Sequence, residues 1–232
     1  AAVLPYLAYA RQDSAGTHES LGLAWAGELL GAAGVQDIVC VDVHSEQARD
    51  ILGLPVISLS PAAVLAGPLP AGWRDGVTFV APDEGAQMRA RALARAAGSN
   101  RPLVWARKRR TRGGIEHLGL EGSPADRAVV VDDILDTGAT LLSCCAQLRR
   151  AGAREIAVVV THGLFTQDRW RALSAEGVRA IWTTDTVVSR RRPPQTRIVS
   201  VAPLLAPVLG VADAPLNLEA SPPPAAPPSG RS

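Results

Sequence analysis

The sequence predicts an α/β fold of two parallel-sheet units, the first of them incomplete, and three observations predict it. Short, nearly continuous apolar runs (IVCVDV from residue 38, VTFV from 77, AVVV from 128, IAVVVT from 156) alternate with helical patterns. Strands buried on both faces read this way, with the helices covering a parallel sheet. A Gly- and Pro-rich stretch at 67–76 divides the pattern in two. The conspicuous polar residues follow directly on the apolar runs, where α/β sheets carry their ligand sites.

In chain order, residues 2–7 read as a strand, 21–30 as a helix ending near Gly31 and Gly34, 38–43 as a buried strand and 55–59 as a short extended piece. After the Gly/Pro break come a strand at 77–80, a helix at 87–97, a strand at 103–106, a strand at 128–131 and a helix at 140–151 closed by Gly152. A strand at 156–161, a helix around 167–175 and strands at 180–183 and 197–201 complete the second unit. The units are placed at 1–66 and 67–212. From 213 the composition turns to Pro, Ala and Ser, a tail expected to be disordered because it has little to bury.

The chain of 232 residues is 47% hydrophobic and 20% charged, with a formal net charge of +2, and no apolar run reaches bilayer length. Neither a nucleic-acid partner nor a membrane is expected. Basic residues cluster at 107–112 and 190–192, so any polyanion contact is local. Cys40, Cys144 and Cys145 give no disulfide framework and no zinc spacing, which points to a reducing cytoplasm. The chain starts at Ala1 on an apolar run without a charged leader, and it is read as a fragment or a trimmed reading frame that opens in mid-fold.

The strongest chemical signal is VVVDDILDTGAT at 129–140. Three valines deliver Asp132 and Asp133 to the end of a strand, and Asp136, Thr137, Gly138, Ala139 and Thr140 then form a small-residue loop that opens a helix. Backbone N–H groups at such a helix start, helped by threonine hydroxyls, cradle a phosphate. Carboxylates beside them hold sugar hydroxyls or a hydrated Mg²⁺. A plain N-capped helix after a buried strand accounts for one polar residue here, not for three carboxylates and a glycine turn.

This run resembles the ribose 5-phosphate loop of phosphoribosyltransferase-type folds, and four further segments narrow the resemblance. YARQD at 9–13, VDVHSEQ at 41–47, APDEGA at 81–86 and RKRRTR at 107–112 are similar, in order and spacing, to motifs of the ribose-phosphate pyrophosphokinases, the synthases of phosphoribosyl pyrophosphate (PRPP). The resemblance covers about residues 2–209. It implies an α/β fold of two phosphoribosyltransferase-like parallel-sheet units. It also implies transfer of pyrophosphate from ATP to the C1 hydroxyl of ribose 5-phosphate, with Mg²⁺ as cofactor and a homo-oligomeric assembly.

Carried over to this sequence, the resemblance puts ATP contact on Arg11 and Gln12, metal association on His44 and Asp83, and catalysis on Lys108. Ribose 5-phosphate falls to Arg110, Asp132, Asp136, Thr137, Gly138, Ala139 and Thr140. Without the family, His44 reads as a structural histidine and Lys108 as a solvated charge. Arg89 and Arg91 read as structural or solvated, His117 and His162 carry no pattern, and the tryptophans and Cys144–Cys145 read as packing residues.

Three departures stand out. The family's Phe-x-Asp-x-Glu stretch, which closes on adenine from a neighbouring subunit, is absent; residues 14–16 are uncharged where a basic loop is usual; and Ala86 and Ala139 replace frequent glycines. The chain as given is therefore expected to bind ribose 5-phosphate and to make little PRPP. A phosphoribosyltransferase that consumes PRPP, or a non-catalytic subunit of a synthase, are the alternative functions.

Overall fold

A computed structural model of the chain describes residues 1–12, 22–111 and 114–210, with backbone only at 109–117. The Pro/Ala-rich tail and part of the segment after Arg11–Gln12 lie outside the described residues. Among those described, three parallel strands, β1 (Ala2–Leu4), β2 (Ile38–Val41) and β3 (Val56–Leu59), form a small sheet in the order β1-β2-β3. A larger sheet has the order β10-β9-β8-β7-β4-β5-β6. Its strands are β4 (Thr78–Ala81), β5 (Val104–Thr111), β6 (Gly114–Glu121), β7 (Arg127–Leu135), β8 (Glu155–Gly163), β9 (Val178–Thr184) and β10 (Thr196–Val199). All its pairings are parallel except the β5–β6 hairpin.

The helices are α1 (Gly22–Ala32), α2 (Glu46–Leu52), α3 (Ala62–Ala66), α4 (Gln87–Ala96), α5 (Ala139–Arg150) and α6 (Ala202–Leu205). None is long and apolar enough to cross a membrane. Successive side chains of β7 part to opposite faces, as a period of two requires. Ala128 and Val130 pack with Leu141, Cys144 and Leu148 of α5, while Val129 and Val131 pack with Ala90 and Leu93 of α4 and with Leu65 of α3. Each fully buried valine in this double-faced core contributes about 1.5–3 kcal/mol.

This covering places the site. The connection leaving β4 runs through α4 on one face, and the one leaving β7 runs through α5 on the other, although β4 and β7 are neighbours. The chain therefore diverges at the carboxyl ends of β4 and β7 and leaves a crevice there, the switch point of an open α/β sheet. The small sheet sits against this edge, and Val201 and Leu205 pack on Val39 and Val41 of β2.

The expected α/β class with parallel sheets is what the structure has, and several elements differ in detail. The strand expected to end at 106 continues to Thr111, because β6 pairs with it antiparallel and carries it beyond the parallel core. The strand expected at 128–131 runs to Leu135, so Asp132 and Asp133 lie within it, paired to β8. The helix expected at 167–175 is a 3₁₀ turn at Arg169–Ser174. Its buried residues Trp170 and Leu173 are three apart, the spacing that a three-residue turn aligns on one side. Trp25 is 68% exposed on α1, contrary to a packing role, whereas Trp170, Trp182 and both cysteines of α5 are buried as expected.

Candidate active site

Asp83 lies two residues beyond the end of β4. Its Oδ1 accepts from the Ala86 N–H (3.1 Å), which turns the chain into α4, and its Oδ2 accepts from Lys108 Nζ (2.6 Å). Lys108 reaches it from β5, where the register against β6 shifts between Arg107 and Lys108. The extra residue there is Leu118 on β6, so β5 keeps its alternation and Lys108 falls on the face of buried Ala106, which delivers the lysine to the crevice from inside a strand.

Asp132 and Asp133 stand on the adjoining strand β7. Asp133 is 4% exposed and accepts from His44 Nδ1 at 2.5 Å. Burial alone raises a carboxyl group's pKa. Here the His44 hydrogen bond and the Arg89 guanidinium outweigh burial and hold Asp133 down at about 2. An ionised carboxylate only accepts, so the shared proton belongs to His44 Nδ1. Asp132 goes the other way: burial, then the neighbouring charges of Asp133 and Asp83, push it well above the ordinary carboxylate range.

The loop after β7 is fixed from both sides. Asp136 Oδ2 accepts from Arg11 Nη1 (2.7 Å), and its Oδ1 accepts from the Thr166 hydroxyl. Thr137 Oγ1 accepts from the Ala139 N–H (3.3 Å). Gly138 caps α5 at φ +85°, and a Cβ there would stand 2.9 Å from Trp170 Cα. Gly138→Ala is therefore expected to cost about 1–2 kcal/mol in backbone conformation alone. A thermal melt should show Tm lowered by a few degrees or more; an unchanged Tm would mean that the turn tolerates a side chain.

Lys108, Ala139, Thr140, Ser143, Cys144 and Gln147, with Pro82, line one open cleft. The helix start and the lysine thus face the same space.

A phosphoribosyl transferase domain model matches residues 70–180. A ribose-phosphate pyrophosphokinase of Maricaulis maris is 31% identical over 211 residues, covering 88% of this chain and 67% of that protein. The chain belongs to the ribose-phosphate pyrophosphokinase family. The homologue from Parasynechococcus marenigrum is 33% identical, again over 88% of this chain but over 63% of its own length. The chain thus spans about two thirds of the length of these pyrophosphokinases. The solved phosphoribosylpyrophosphate synthetase of Mycobacterium smegmatis superposes with a TM-score of 0.76 at 29% identity, covering 90% of this chain and 69% of the other. Family and fold therefore stand as the sequence resemblance implied.

Of the residues that the pyrophosphokinase motifs single out, the fold gathers most at the crevice, as three ion pairs: Lys108 with Asp83, His44 with Asp133, and Arg11 with Asp136. His44 and Asp83 thus have different partners, and no group of three or more His, Cys, Asp or Glu side chains is set to hold a metal among the described residues. Mg²⁺ does not need such a cage. It takes oxygen ligands, keeps several waters and borrows substrate phosphates. The crowding of Asp132 with Asp83 and Asp133 is the setting that a hydrated divalent cation relieves, so the carboxylates fit the ion better than the His44 nitrogen does. Gln12 Oε1 accepts from the Gly22 N–H (3.1 Å) at the start of α1. The side chain of Arg110 lies outside the described residues.

Three groups at the crevice were given no role from the sequence, although Asp42 lies inside the VDVHSEQ motif. Asp42 follows β2 at φ +50°, accepts from the Thr161 hydroxyl and pairs with Arg89. His162 is buried, bonds Thr186 through Nδ1 (2.8 Å) and meets the Tyr6 ring at 4.8 Å. Burial pulls its pKa down, which favours the neutral ring. Arg89, read as structural or solvated, turns out to join the two sheets. For His162, its place beside Thr161 at the end of an apolar strand was the clue available.

Proposed function

We propose that this chain transfers the pyrophosphoryl group of ATP to the C1 hydroxyl of ribose 5-phosphate, giving PRPP and AMP for nucleotide biosynthesis. The observation that carries the reading is the cleft shared by Lys108 and the start of α5, with Arg11 and His44, which follow strands of the small sheet, tied to Asp136 and Asp133 at the end of β7. The backbone N–H groups of the first turn of α5, with Thr137 and Thr140, hold the 5-phosphate. Asp132 and Asp136 accept from the ribose hydroxyls, and Arg110 supplies a planar fork to a phosphate. Arg11 and Gln12 hold the nucleotide, with His44 beside its metal-bound phosphates.

The C1 oxygen forms a bond to the β-phosphorus, the bond from that phosphorus to the oxygen bridging it to the α-phosphorus breaks, AMP leaves and the hydroxyl proton is lost. Phosphoryl transfer asks the protein mainly for alignment and neutralisation of spreading charge. Lys108, a point charge on a flexible stem, exchanges Asp83 for the migrating group. Asp83 and Asp132 would hold Mg²⁺ through their oxygens, with His44 beside them, and the ion would supply further charge neutralisation. Cytoplasmic location and a homo-oligomeric assembly follow from the same family reading.

The test is AMP release that requires both ATP and ribose 5-phosphate. Nucleotide formation from PRPP and a free base would instead mark a phosphoribosyltransferase, and binding of both substrates without AMP would mark a non-catalytic subunit. Within this reading, His44→Ala should weaken Mg²⁺–ATP binding by about tenfold or more and leave ribose 5-phosphate affinity nearly unchanged. Calorimetry separates the two; equal losses together with a lower Tm would reduce His44 to a structural tie.

A further inference from the structure

The guanidinium of Arg89 is spent almost wholly on one turn of the other sheet. Nε donates to Asp42 Oδ1 (2.7 Å), and Nη2 donates to the carbonyls of Val43 and His44, both at 2.8 Å. The same nitrogen lies 3.9 Å from Asp133 Oδ2, the carboxylate that holds the His44 ring. Nη1 reaches the Gly85 carbonyl at 3.5 Å, and the side chain is 19% exposed.

The turn needs such a clamp. Residues 42–44 lie between the end of β2 and the Ser45 cap of α2, so the Val43 and His44 carbonyls fall outside both the sheet ladder and the helix. Asp42 holds a left-handed conformation that a non-glycine residue adopts only under constraint from its surroundings. From within the small sheet, the Asp42 N–H is held by the Leu59 carbonyl (3.0 Å) and the Val43 N–H by Ser58 Oγ (3.0 Å). A lysine cannot replace the fork, because one ammonium on a flexible stem does not meet a carboxylate and two carbonyls in a fixed plane.

We propose that Arg89 is the positioning residue for His44: from α4 of the large sheet it fixes the 42–44 turn of the small sheet so that the His44 ring meets Asp133. Its effect on ATP rests on the function proposed above; its effect on the turn does not.

The experiment compares Arg89→Gln and Arg89→Lys with the parent full chain. It reads backbone amide exchange peptide by peptide, the Kd values for Mg²⁺–ATP and ribose 5-phosphate by calorimetry, and Tm. In Arg89→Gln the amides of Asp42 and Val43 should exchange about tenfold faster or more, while those of β7 and α5 stay protected. The Kd for ATP should rise about tenfold, that for ribose 5-phosphate should hold, and Arg89→Lys should restore Tm more fully than it restores protection of the turn. Unchanged exchange at 42–43, or faster exchange spread evenly over the chain, would overturn the positioning role. If Arg89→Gln does not fold, full protection of the turn in Arg89→Lys overturns it instead. A loosened turn in a chain whose parent binds no ATP would leave Arg89 as the clamp and refute the nucleotide reading alone.

Discussion

Lys108→Ala should lower turnover by roughly a hundredfold to a thousandfold, the usual cost of removing one preorganised charge that acts on the transition state, while ribose 5-phosphate binds nearly as before. Lys108 lies in β5, two residues after buried Ala106 and on the same face, and its ammonium sits on Asp83 at 2.6 Å. It lines the same cleft as Ala139 and Thr140 but stands across from the helix start proposed to hold the 5-phosphate. Loss of the cation therefore falls on the migrating phosphoryl group. Radiolabelled ATP follows the rate and calorimetry follows the sugar. Turnover close to that of the parent chain would remove Lys108 from the chemistry. A large loss of ribose 5-phosphate affinity would mean that it serves the substrate's ground state instead.

Asp132→Asn should raise Tm and weaken ribose 5-phosphate binding together. The Asp132 carboxyl titrates well above its ordinary value because it is buried and crowded by Asp133 and Asp83. An acid whose pKa is raised by folding makes the folded state less stable as pH climbs from the ordinary carboxylate range through the raised value. Asparagine has no such charge and still accepts from the Asp133 N–H, so the variant should be more stable at neutral pH and its stability should rise less toward acid. Asp133 has the opposite sign: with its pKa held at about 2, the stability it contributes is complete above the ordinary value of 3.8 and is lost as pH falls through that interval. One hydrogen bond is worth about 0.5–1.5 kcal/mol, so the Kd for ribose 5-phosphate should rise by roughly two- to tenfold. Melts between pH 4 and 8 (roughly the span over which carboxylates with ordinary to strongly raised pKa titrate) check the first effect, and calorimetry the second. A lower Tm at neutral pH would show that the charge is well accommodated, and unchanged affinity would take Asp132 out of the sugar site.

What was legible in the sequence was local. Val129 to Val131 mark a buried strand, and the carboxylates and glycine that follow mark its working end, so the core strands and the phosphate loop could be read from contiguous residues. The β5–β6 hairpin could be read only at its apolar start, 103–106, because the rest of β5 is charged and β6 carries no apolar run. The site's cross-links were equally hidden. Arg89 and Asp42 are 47 positions apart, His44 and Asp133 are 89 apart, and Arg11 and Asp136 are 125 apart. Arg89 sits in an arginine- and alanine-rich helix where nothing local separates it from Arg91, whose guanidinium merely reaches Gln87 one turn away. The fold singles it out, because only the docking of the small sheet brings the 42–44 turn over α4.

The most direct test of the proposed reaction follows the phosphorus. ATP radiolabelled at its β-phosphorus is incubated with the full chain, Mg²⁺ and ribose 5-phosphate, and the products are separated. At whatever rate the chain turns over, the label should move onto the sugar as PRPP, with one AMP released for each PRPP formed and none without ribose 5-phosphate. Label recovered in ADP or in free pyrophosphate, or AMP released without the sugar, would contradict pyrophosphoryl transfer at this site.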